Sequence, residues 1–294
     1  MMDSTRLSTG IDGLDGLLGG GLLPGTLTVV LGSTGIGKTQ FGLQFAQAGV
    51  RQEGRPGILF DMSTRGDSQS HADYARRLFG RQLTCVEPEE HVDLEGFFDP
   101  ARIHGDYLHV FDQHGRRVGR RDLDFDGWHD WEAELSRRLA ISIAFFYGNF
   151  IGGVRRAVVD GIEPVDRPSE SIQIELFEYI YHQILRKDPE WVARDLFRQH
   201  YRRHAEEAAA RVYDPCAIGC VLLATSHETT LDGLIERPLD EGDLLSGANT
   251  VIYLGKIREG TKFRRALYVA KHRGSACPDE IVPYRIDERG IRLG

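Results

Sequence analysis

A short segment between an apolar run and an amphipathic run has the residue types and the spacing needed to bind phosphate. Gly32, Gly37, Lys38 and Thr39 match the pattern G-x-x-x-x-G-K-[ST]. The apolar residues 27–31 before the loop predict a buried strand, and the apolar residues after it recur at helical spacing. A strand that turns directly into a helix directs the first helical N–H groups into the loop, where they stabilise an anion. The segment therefore predicts a site for a nucleoside triphosphate.

Each residue type in this loop has a chemical reason to be there. Glycines let the backbone curl around a phosphate with torsions that a Cβ atom would obstruct. Lys38 is expected to contact the β- and γ-phosphates and to take part in catalysis, and Thr39 to ligate Mg²⁺. The predicted nucleotide-binding residues are Gly32, Ser33, Thr34, Gly35, Ile36, Gly37, Lys38, Thr39 and Gln40.

A phosphate loop of this kind needs a carboxylate that holds Mg²⁺ through water, at the end of a neighbouring apolar strand. The segment AVVD supplies such a carboxylate at Asp160. The alternative is structural, since an aspartate at the end of a strand is common in α/β proteins. We favour the metal role because Asp160 follows the phosphate-loop unit and precedes a helical pattern.

The elements that must position these residues predict an α/β fold. Helical patterns alternate with apolar strands, which is typical of a mostly parallel sheet flanked by helices, and the C-terminal third has the pattern of antiparallel strands. We expect a single domain over residues 1–294, with a helical insertion around 188–213. The predicted strands after the loop are Gly57–Ser63, Asp106–Asp112, Arg155–Gly161 and Ile218–Glu228.

The composition is that of an ordinary globular protein. The 294 residues are 41% hydrophobic and 27% charged, with a formal net charge of −8, which does not favour a nucleic-acid or membrane partner. The most apolar stretch, 139–154, is shorter than the ~20 residues that cross a bilayer and predicts a buried helix followed by a turn. Because the N-terminus has no signal-peptide pattern, we expect a cytoplasmic protein.

Two patterns that resemble metal sites are assigned to structure instead. The segment 122–127 has the spacing of a calcium loop, but its twelfth position is Ala133 rather than glutamate, so we interpret it as an acidic turn. The cysteines form no C-x-x-C pair and are interpreted as buried free thiols. They are Cys85, Cys216, Cys220 and Cys277.

The motifs resemble those of a known family. STGIDGLDGLLGGGLLPGTLTVVLGSTGIGKT (8–39) and YVAKHRGSA (268–276) are similar to the opening and to the K-x-R-G-S/T motif of the KaiC-like branch of the RecA superfamily. RRAVVDG (155–161) and LLATSHE (222–228) occupy the intermediate positions that the family uses. The resemblance implies a RecA-type core, ATP with Mg²⁺, and a homo-oligomeric ring, usually a hexamer, with nucleotide at each subunit interface.

The resemblance also suggests roles for two further pairs of residues. Lys271 and Arg273 alternate with His272 along a strand, so their side chains leave on one face. In the family such residues are trans-acting cationic fingers on the neighbouring subunit's phosphates, whereas an exposed basic strand edge is the structural alternative. Ser226 and His227 lie where the superfamily often senses the γ-phosphate, and a strand-end cap is the alternative there.

The sequence departs from the family at the residues that activate water. KaiC-like ATPases usually carry two adjacent glutamates at the end of the second strand, where this chain has Ser63 and Thr64. Asp61, on the same strand face, and Asp67, in the loop that follows, are the candidates to replace the lost base. We therefore expect a slow ATPase with Asp61 as its candidate catalytic base, and the alternative is a non-hydrolysing ATP-binding scaffold.

The predicted function is a KaiC-like ATPase or ATP-driven switch with a regulatory or signalling role. A RecA/RadA-like DNA repair or helicase motor is a second hypothesis, because LDGLLGGGLLPGTL (14–27) is also similar to the RadA branch. Against this second hypothesis, the sequence shows neither a four-cysteine zinc module nor a recognisable basic, aromatic-rich DNA loop. A helix predicted from Asp188 to about Tyr213 carries several arginines, and we interpret it as solvated, with a surface for a protein partner or for nucleic acid as the alternative.

Overall fold

The structure is a computed structural model, and it describes residues 6–63, 70–86, 92–99, 101–111, 125–164, 171–237, 244–275 and 277–294. Nine strands form one sheet in the order β3-β2-β4-β5-β1-β6-β7-β8-β9. The strands are β1 (Leu27–Gly32), β2 (Ile58–Asp61), β3 (Tyr107–His109), β4 (Arg156–Ile162), β5 (Gly219–Thr225), β6 (Thr250–Glu259), β7 (Lys262–His272), β8 (Val282–Asp287) and β9 (Gly290–Leu293).

The pairing directions confirm the predicted fold class. Strands β3, β2, β4, β5, β1 and β6 pair in parallel, and β6 to β9 pair antiparallel. Parallel pairing brings the carboxyl ends of β1, β2, β4 and β5 to one edge of the sheet. The residues that follow these strands therefore lie near one another, as the predicted site requires.

The helices cover both faces of the sheet and bury two apolar clusters. Along β1, Val29 and Leu31 belong to one cluster and Val30 to the other, because successive side chains point to opposite faces. The helices are α1 (Leu14–Leu17), α2 (Lys38–Gln52), α3 (His71–Phe79), α4 (Phe125–Ile151), α5 (Ile172–Ile180), α6 (Pro189–Phe197), α7 (Tyr201–Ala210), α8 (Leu231–Glu236) and α9 (Leu244–Gly247).

The stretch 139–154 is the predicted buried helix and its exit turn. It forms the second half of α4, in which Phe146, Tyr147 and Phe150 are at most 1% exposed, and the chain turns after Ile151. Within the residues that the structure describes, no helix is both long and apolar enough to cross a membrane.

The helix predicted to run from Asp188 to about Tyr213 is divided. Its start is as expected, since Pro189 occupies the first turn and the Asp188 carboxylate accepts a hydrogen bond from the backbone N–H of Glu190 at 2.9 Å. The prediction of one continuous helix is wrong, because Arg198 adopts φ 48° and ends α6. A short 3₁₀ turn then leads into α7, and the two helices pack on each other.

The prediction of buried thiols is correct for one cysteine. Cys220 on β5 is buried and Cys277 is half-buried, whereas Cys85 and Cys216 are exposed, and all four are free thiols. The sequence around the two exposed cysteines has no apolar periodicity from which their exposure could have been predicted. The acidic turn predicted at 122–127 falls mostly outside the described residues.

Candidate nucleotide site

The predicted phosphate loop joins the end of β1 to the start of α2. Gly35 and Gly37 have φ values of 76° and 116°, a region that favours glycine. A Cβ atom on Gly32 would clash with the backbone oxygen of Leu254 on β6. Among the described residues, no side chain caps the start of α2, so its first N–H groups are available to a ligand. This geometry fits a phosphate group held by backbone N–H donors.

The loop is fixed in place by the C-terminal strands. The buried Tyr284 of β8 donates its hydroxyl hydrogen to the backbone oxygen of Ile36, at the centre of the loop, over 2.7 Å. On α2, the Gln44 amide donates to the backbone oxygen of Ile291 on β9 at 3.0 Å and accepts from its N–H at 2.6 Å. The antiparallel half of the sheet therefore supports the loop through direct hydrogen bonds.

Lys38 lies across the loop with its ammonium group buried. Its Nζ atom donates to the backbone oxygens of Gly32 and Ser33, both at 2.9 Å. Burial lowers the pKa of Lys38 to about 8, and the charge of Asp160 opposes that change only in part. Negative phosphate oxygens at this position would restore the preference for the charged form. The geometry is therefore that of a cation poised for an anionic ligand.

Thr39 and Asp160 meet where the sequence predicts a metal. The Thr39 hydroxyl donates to Asp160 Oδ2 at 2.8 Å, and the backbone N–H of Gly161 donates to Asp160 Oδ1 at 2.7 Å. No cluster of three His, Cys, Asp or Glu side chains that could hold a metal occurs among the described residues. This donor set fits Mg²⁺ rather than Zn²⁺, since Mg²⁺ keeps several waters and takes few protein ligands beside phosphate oxygens.

His71, which the sequence did not single out, joins the two carboxylates of the site. It follows Ser70, the N-cap of α3, and its Nε2 lies 3.0 Å from Asp160 Oδ2. Its Nδ1 lies 3.3 Å from Asp61 Oδ2, and the side chain is only 13% exposed. Burial alone would lower the pKa of His71, but the hydrogen bonds and charges of the two carboxylates raise it to about 10. The histidine is therefore a cation between two anions.

Asp61, the candidate base, has several hydrogen-bond partners. Register pairs it with Asp160 across β2 and β4. Its carboxylate accepts hydrogen bonds at 2.8 Å from the Tyr107 hydroxyl and from the backbone N–H of Ser63. Burial acts to raise the pKa of Asp61, but the bonds and charge of His71 outweigh it, and the pKa is held well below its usual range. A carboxylate in this state is a weak proton acceptor, and the role of Asp61 as base stays a prediction.

The remaining residues at the end of β2 and β5 are placed only in part. Ser63 lies at the site, and its backbone oxygen is 2.8 Å from His109 Nε2, whereas Thr64 and Asp67 lie outside the described residues. The buried Ser226 donates its backbone N–H to Gly32 at 3.1 Å, which places it beside the phosphate loop, and His227 is exposed. The Ser226 hydroxyl also accepts the N–H of Glu228 at 3.1 Å, as a strand-end cap would.

Lys271 and Arg273 lie at the opposite end of the sheet from the loop. The start of β6 pairs with His272, whereas Gly32 pairs with Leu254, four residues further along β6. Four strand residues span about 13 Å. The Lys271 ammonium donates to the backbone oxygen of Ser246 at 2.8 Å, and Arg273 is exposed. The structure thus brings Lys38, Thr39, Asp61 and Asp160 together, and it separates both cations from them.

Contacts with the N-terminal segment and with β6 hold the strand end that carries these cations. His272 faces inward, with Nδ1 2.9 Å from the Thr250 hydroxyl and Nε2 3.0 Å from the backbone oxygen of Leu18. The Arg6 guanidinium donates to the backbone oxygen of Gly274 at 3.0 Å. The inward direction of His272 leaves its two neighbours on the outer side, as the alternation of the sequence predicts.

Comparisons with known proteins match the N-terminal third of the chain to KaiC proteins. A family model described as "ATPase: KaiC" matches residues 7–103. Circadian clock protein KaiC2 of Synechocystis sp. is 47% identical over 98 residues, 33% of this chain and 16% of that protein. Circadian clock oscillator protein KaiC of Prochlorococcus marinus is 44% identical over 102 residues, 34% of this chain and 19% of that protein. The match thus spans less than a fifth of the length of either relative.

A solved structure extends the similarity of the fold to the whole chain. The crystal structure of a KaiC-like protein from Pyrococcus horikoshii OT3 superposes with a TM-score of 0.51 and covers 98% of both chains, at 17% identity. The phosphate loop and the predicted strand β2 fall within the matched N-terminal third, and the superposed fold accounts for the sheet that carries Asp160 and β7. Residues 7–103 are thus similar to the KaiC ATPase family, and the chain as a whole shares the fold of a KaiC-like protein.

Proposed function

We propose that this chain is a single-domain ATP-dependent switch that binds ATP with Mg²⁺ at the loop Gly32–Gln40. The observation that carries the proposal is the geometry of the loop, with the buried Lys38 ammonium directed into it and Thr39 hydrogen-bonded to Asp160. Bound Mg²⁺ would neutralise phosphate charge there, held by the Thr39 hydroxyl and by water on Asp160. The requirement for ATP and Mg²⁺ is consistent with a cytoplasmic location.

We propose further that ATP lies between subunits of a ring, most simply a hexamer. Lys271 and Arg273 are too far along the sheet to reach their own loop, but a head-to-tail neighbour would place them beside it. A ring of identical subunits repeats that heterologous contact at each interface. In such a ring, contacts that depend on the γ-phosphate would make the shape of the assembly depend on the nucleotide.

We propose slow hydrolysis, with a regulatory or signalling role rather than a motor role. Ser63 supplies no base at neutral pH, and Asp61 is engaged by His71, Tyr107 and a backbone N–H. The relatives named as circadian clock proteins support a regulatory role by analogy. The same contacts of Asp61 favour, as a second candidate, a scaffold that binds ATP without hydrolysing it.

A helical surface offers a place for a protein partner of the switch. Trp191 on α6 is 57% exposed and lies under the Arg194 guanidinium, 5.4 Å from the ring centroid to Cζ. Val212, after α7, is 70% exposed. The ion pair between Arg194 and Glu190, at 2.6 Å, also supports the interpretation of a solvated helix.

Light scattering with and without a non-hydrolysable ATP analogue tests the proposal. We expect a larger assembly with the analogue and Mg²⁺, and the same change should be absent in Lys38→Ala. A strict monomer at tens of micromolar in both conditions would remove the ring from the proposal. A labelled ATP analogue that does not bind wild-type protein would remove the nucleotide site itself.

A further inference from the structure

A basic hairpin extends the sheet into solvent beyond the phosphate loop. Strands β6 and β7 remain paired to the tip, with Lys256 opposite Arg265 and Arg258 opposite Phe263. Every residue from 258 to 265 is exposed, although the first six residues of β6, 250–255, are buried. Because Gly32 pairs with Leu254, the tip lies at the edge of the sheet that carries the loop. The tip of the hairpin is therefore an exposed surface at the same edge of the sheet as the nucleotide site.

The two faces of the hairpin differ in charge. Residues directly opposite each other share a face, and so do residues two apart on one strand. One face consists of Lys256, Arg258, Phe263 and Arg265, and we call it the cationic face. The opposite face consists of Ile257, Glu259, Lys262 and Arg264. Of these two faces, only the opposite face carries a carboxylate, that of Glu259, and it forms a 2.9 Å ion pair with Arg264.

The cations of the cationic face have no acidic partner in the part of the chain that the structure describes. Among the described residues, no carboxylate forms an ion pair with Lys256, Arg258 or Arg265, whereas the chain as a whole carries a net charge of −8. Lys256 and Arg258 are two residues apart, so they stand about 7 Å from each other along the strand. A local excess of positive charge on an acidic protein favours a polyanionic partner at this surface.

An exposed aromatic ring lies among these cations. Phe263 is 66% exposed, one of the largest exposures of an apolar side chain in the described residues, and it stands opposite Arg258. An acidic peptide would match the charges but would give no reason for the ring. A single strand of nucleic acid offers both backbone phosphates for the cations and base faces that stack on an aromatic side chain.

We propose that the cationic face of the β6–β7 hairpin binds single-stranded nucleic acid. The phosphates contact Lys256, Arg258 and Arg265, and an unpaired base stacks on Phe263. Recognition is independent of sequence, because stacking and phosphate contacts are the same for every base. Nucleic-acid binding by this face does not require the proposed ATP-dependent ring, so oligonucleotide binding and assembly are measured separately.

Fluorescence anisotropy with a fluorescein-labelled oligothymidylate tests this proposal. Two double variants give a matched comparison, since each removes one lysine and one arginine from the same exposed hairpin. Lys256→Ala/Arg258→Ala changes the cationic face, and Lys262→Ala/Arg264→Ala changes the opposite face. Losing two phosphate contacts should weaken binding about 25-fold at about 0.1 M salt and reduce the slope of log affinity against log salt by about 1.4. The control pair should change affinity less than about threefold.

A third variant tests the stacking component. Phe263→Ala should weaken binding about fivefold or more with no change in the salt slope, and Phe263→Trp should restore it. Equal losses in the two double variants would overturn the proposal, because they would show attraction to charge alone. Polyglutamate that competes as well as unlabelled oligothymidylate would also overturn the proposal. Loss of ATP-analogue binding in Lys256→Ala/Arg258→Ala would overturn it as well. The same holds if the wild-type assembly changes size but the protein binds no oligothymidylate.

Discussion

Replacing His71 by alanine removes the cation that stands between Asp61 and Asp160. In the wild type, the imidazole nitrogens lie 3.3 and 3.0 Å from one oxygen of each carboxylate. The exposed fractions of the three side chains are 13%, 5% and 11%, so water does little to replace the lost partner. The substitution therefore leaves two buried anions adjacent across β2 and β4.

The expected loss of stability depends on the hydrogen-bond partners that each carboxylate keeps. Removing one partner of a buried ion pair costs about 3–5 kcal/mol. Asp61 keeps the hydroxyl of Tyr107 and the backbone N–H of Ser63, and Asp160 keeps the hydroxyl of Thr39 and the backbone N–H of Gly161. We therefore expect the lower end, a loss of about 3 kcal/mol in the free energy of unfolding of the nucleotide-free protein. The matched control is His227→Ala, since His227 is exposed and should change stability by less than about 0.5 kcal/mol.

The pH dependence gives a second readout of the same contact. The pKa of His71 is raised from its ordinary 6.5 to about 10, so its contribution is complete below pH 6.5 and is lost as pH rises towards 10. The pKa of Asp61 is lowered, so its contribution is lost only in acid, as pH falls below its ordinary value of 3.8.

Urea unfolding at several pH values measures both effects. The difference between wild type and His71→Ala should be largest near pH 6 and should shrink towards pH 10. A variant within about 1 kcal/mol of wild type near pH 6, or a difference that grows with pH, would refute the ion-pair reasoning.

Three further predictions concern the nucleotide. Lys38→Ala should lower nucleotide binding or turnover about 10²–10³-fold, since it removes a phosphate-stabilising cation, and wild-type behaviour would refute the phosphate-loop assignment. ATP turnover should be slow in wild type, because general-base catalysis is worth about 10²–10⁴-fold. If Asp61 is the base, Asp61→Asn lowers turnover further at unchanged ATP affinity. If Asp61 only pairs with His71, the same variant lowers stability and leaves turnover unchanged. Removal of Mg²⁺ by EDTA should abolish turnover, and turnover that persists in EDTA would contradict the role of Thr39 and Asp160.

The sequence predicted the parts of the site that local patterns specify. The geometry of the loop Gly32–Thr39 depends on consecutive residues, so the spacing of its glycines and Lys38 was enough to predict its shape. Asp160 is distant in sequence, but it could be placed because parallel strands bring their carboxyl ends to one edge. The C-terminal hairpins were likewise evident from alternation along the strands.

The sequence did not predict contacts that depend on how distant elements pack. His71 pairs with Asp61 and Asp160 only because α3 begins at that edge of the sheet, and its one local signal was the capping pattern of Ser70 and Asp73. The end of α6 was missed because Arg198, at φ 48°, is neither glycine nor proline. Strand alternation identified β6 and β7 but gave no indication that their paired ends extend beyond the neighbouring strands.

The central claim is that each nucleotide is completed by two subunits, with the loop from one and Arg273 from the next. Mixing Lys38→Ala subunits with Arg273→Ala subunits tests it most directly, because a head-to-tail ring pairs an intact loop with an intact Arg273 at about a quarter of its interfaces. We predict that each variant alone is inactive, that the mixture regains part of the ATP turnover, and that a control mixture of Lys38→Ala with Thr39→Ala regains none. A mixture no more active than its separate components, or Arg273→Ala alone with wild-type turnover, would contradict the account.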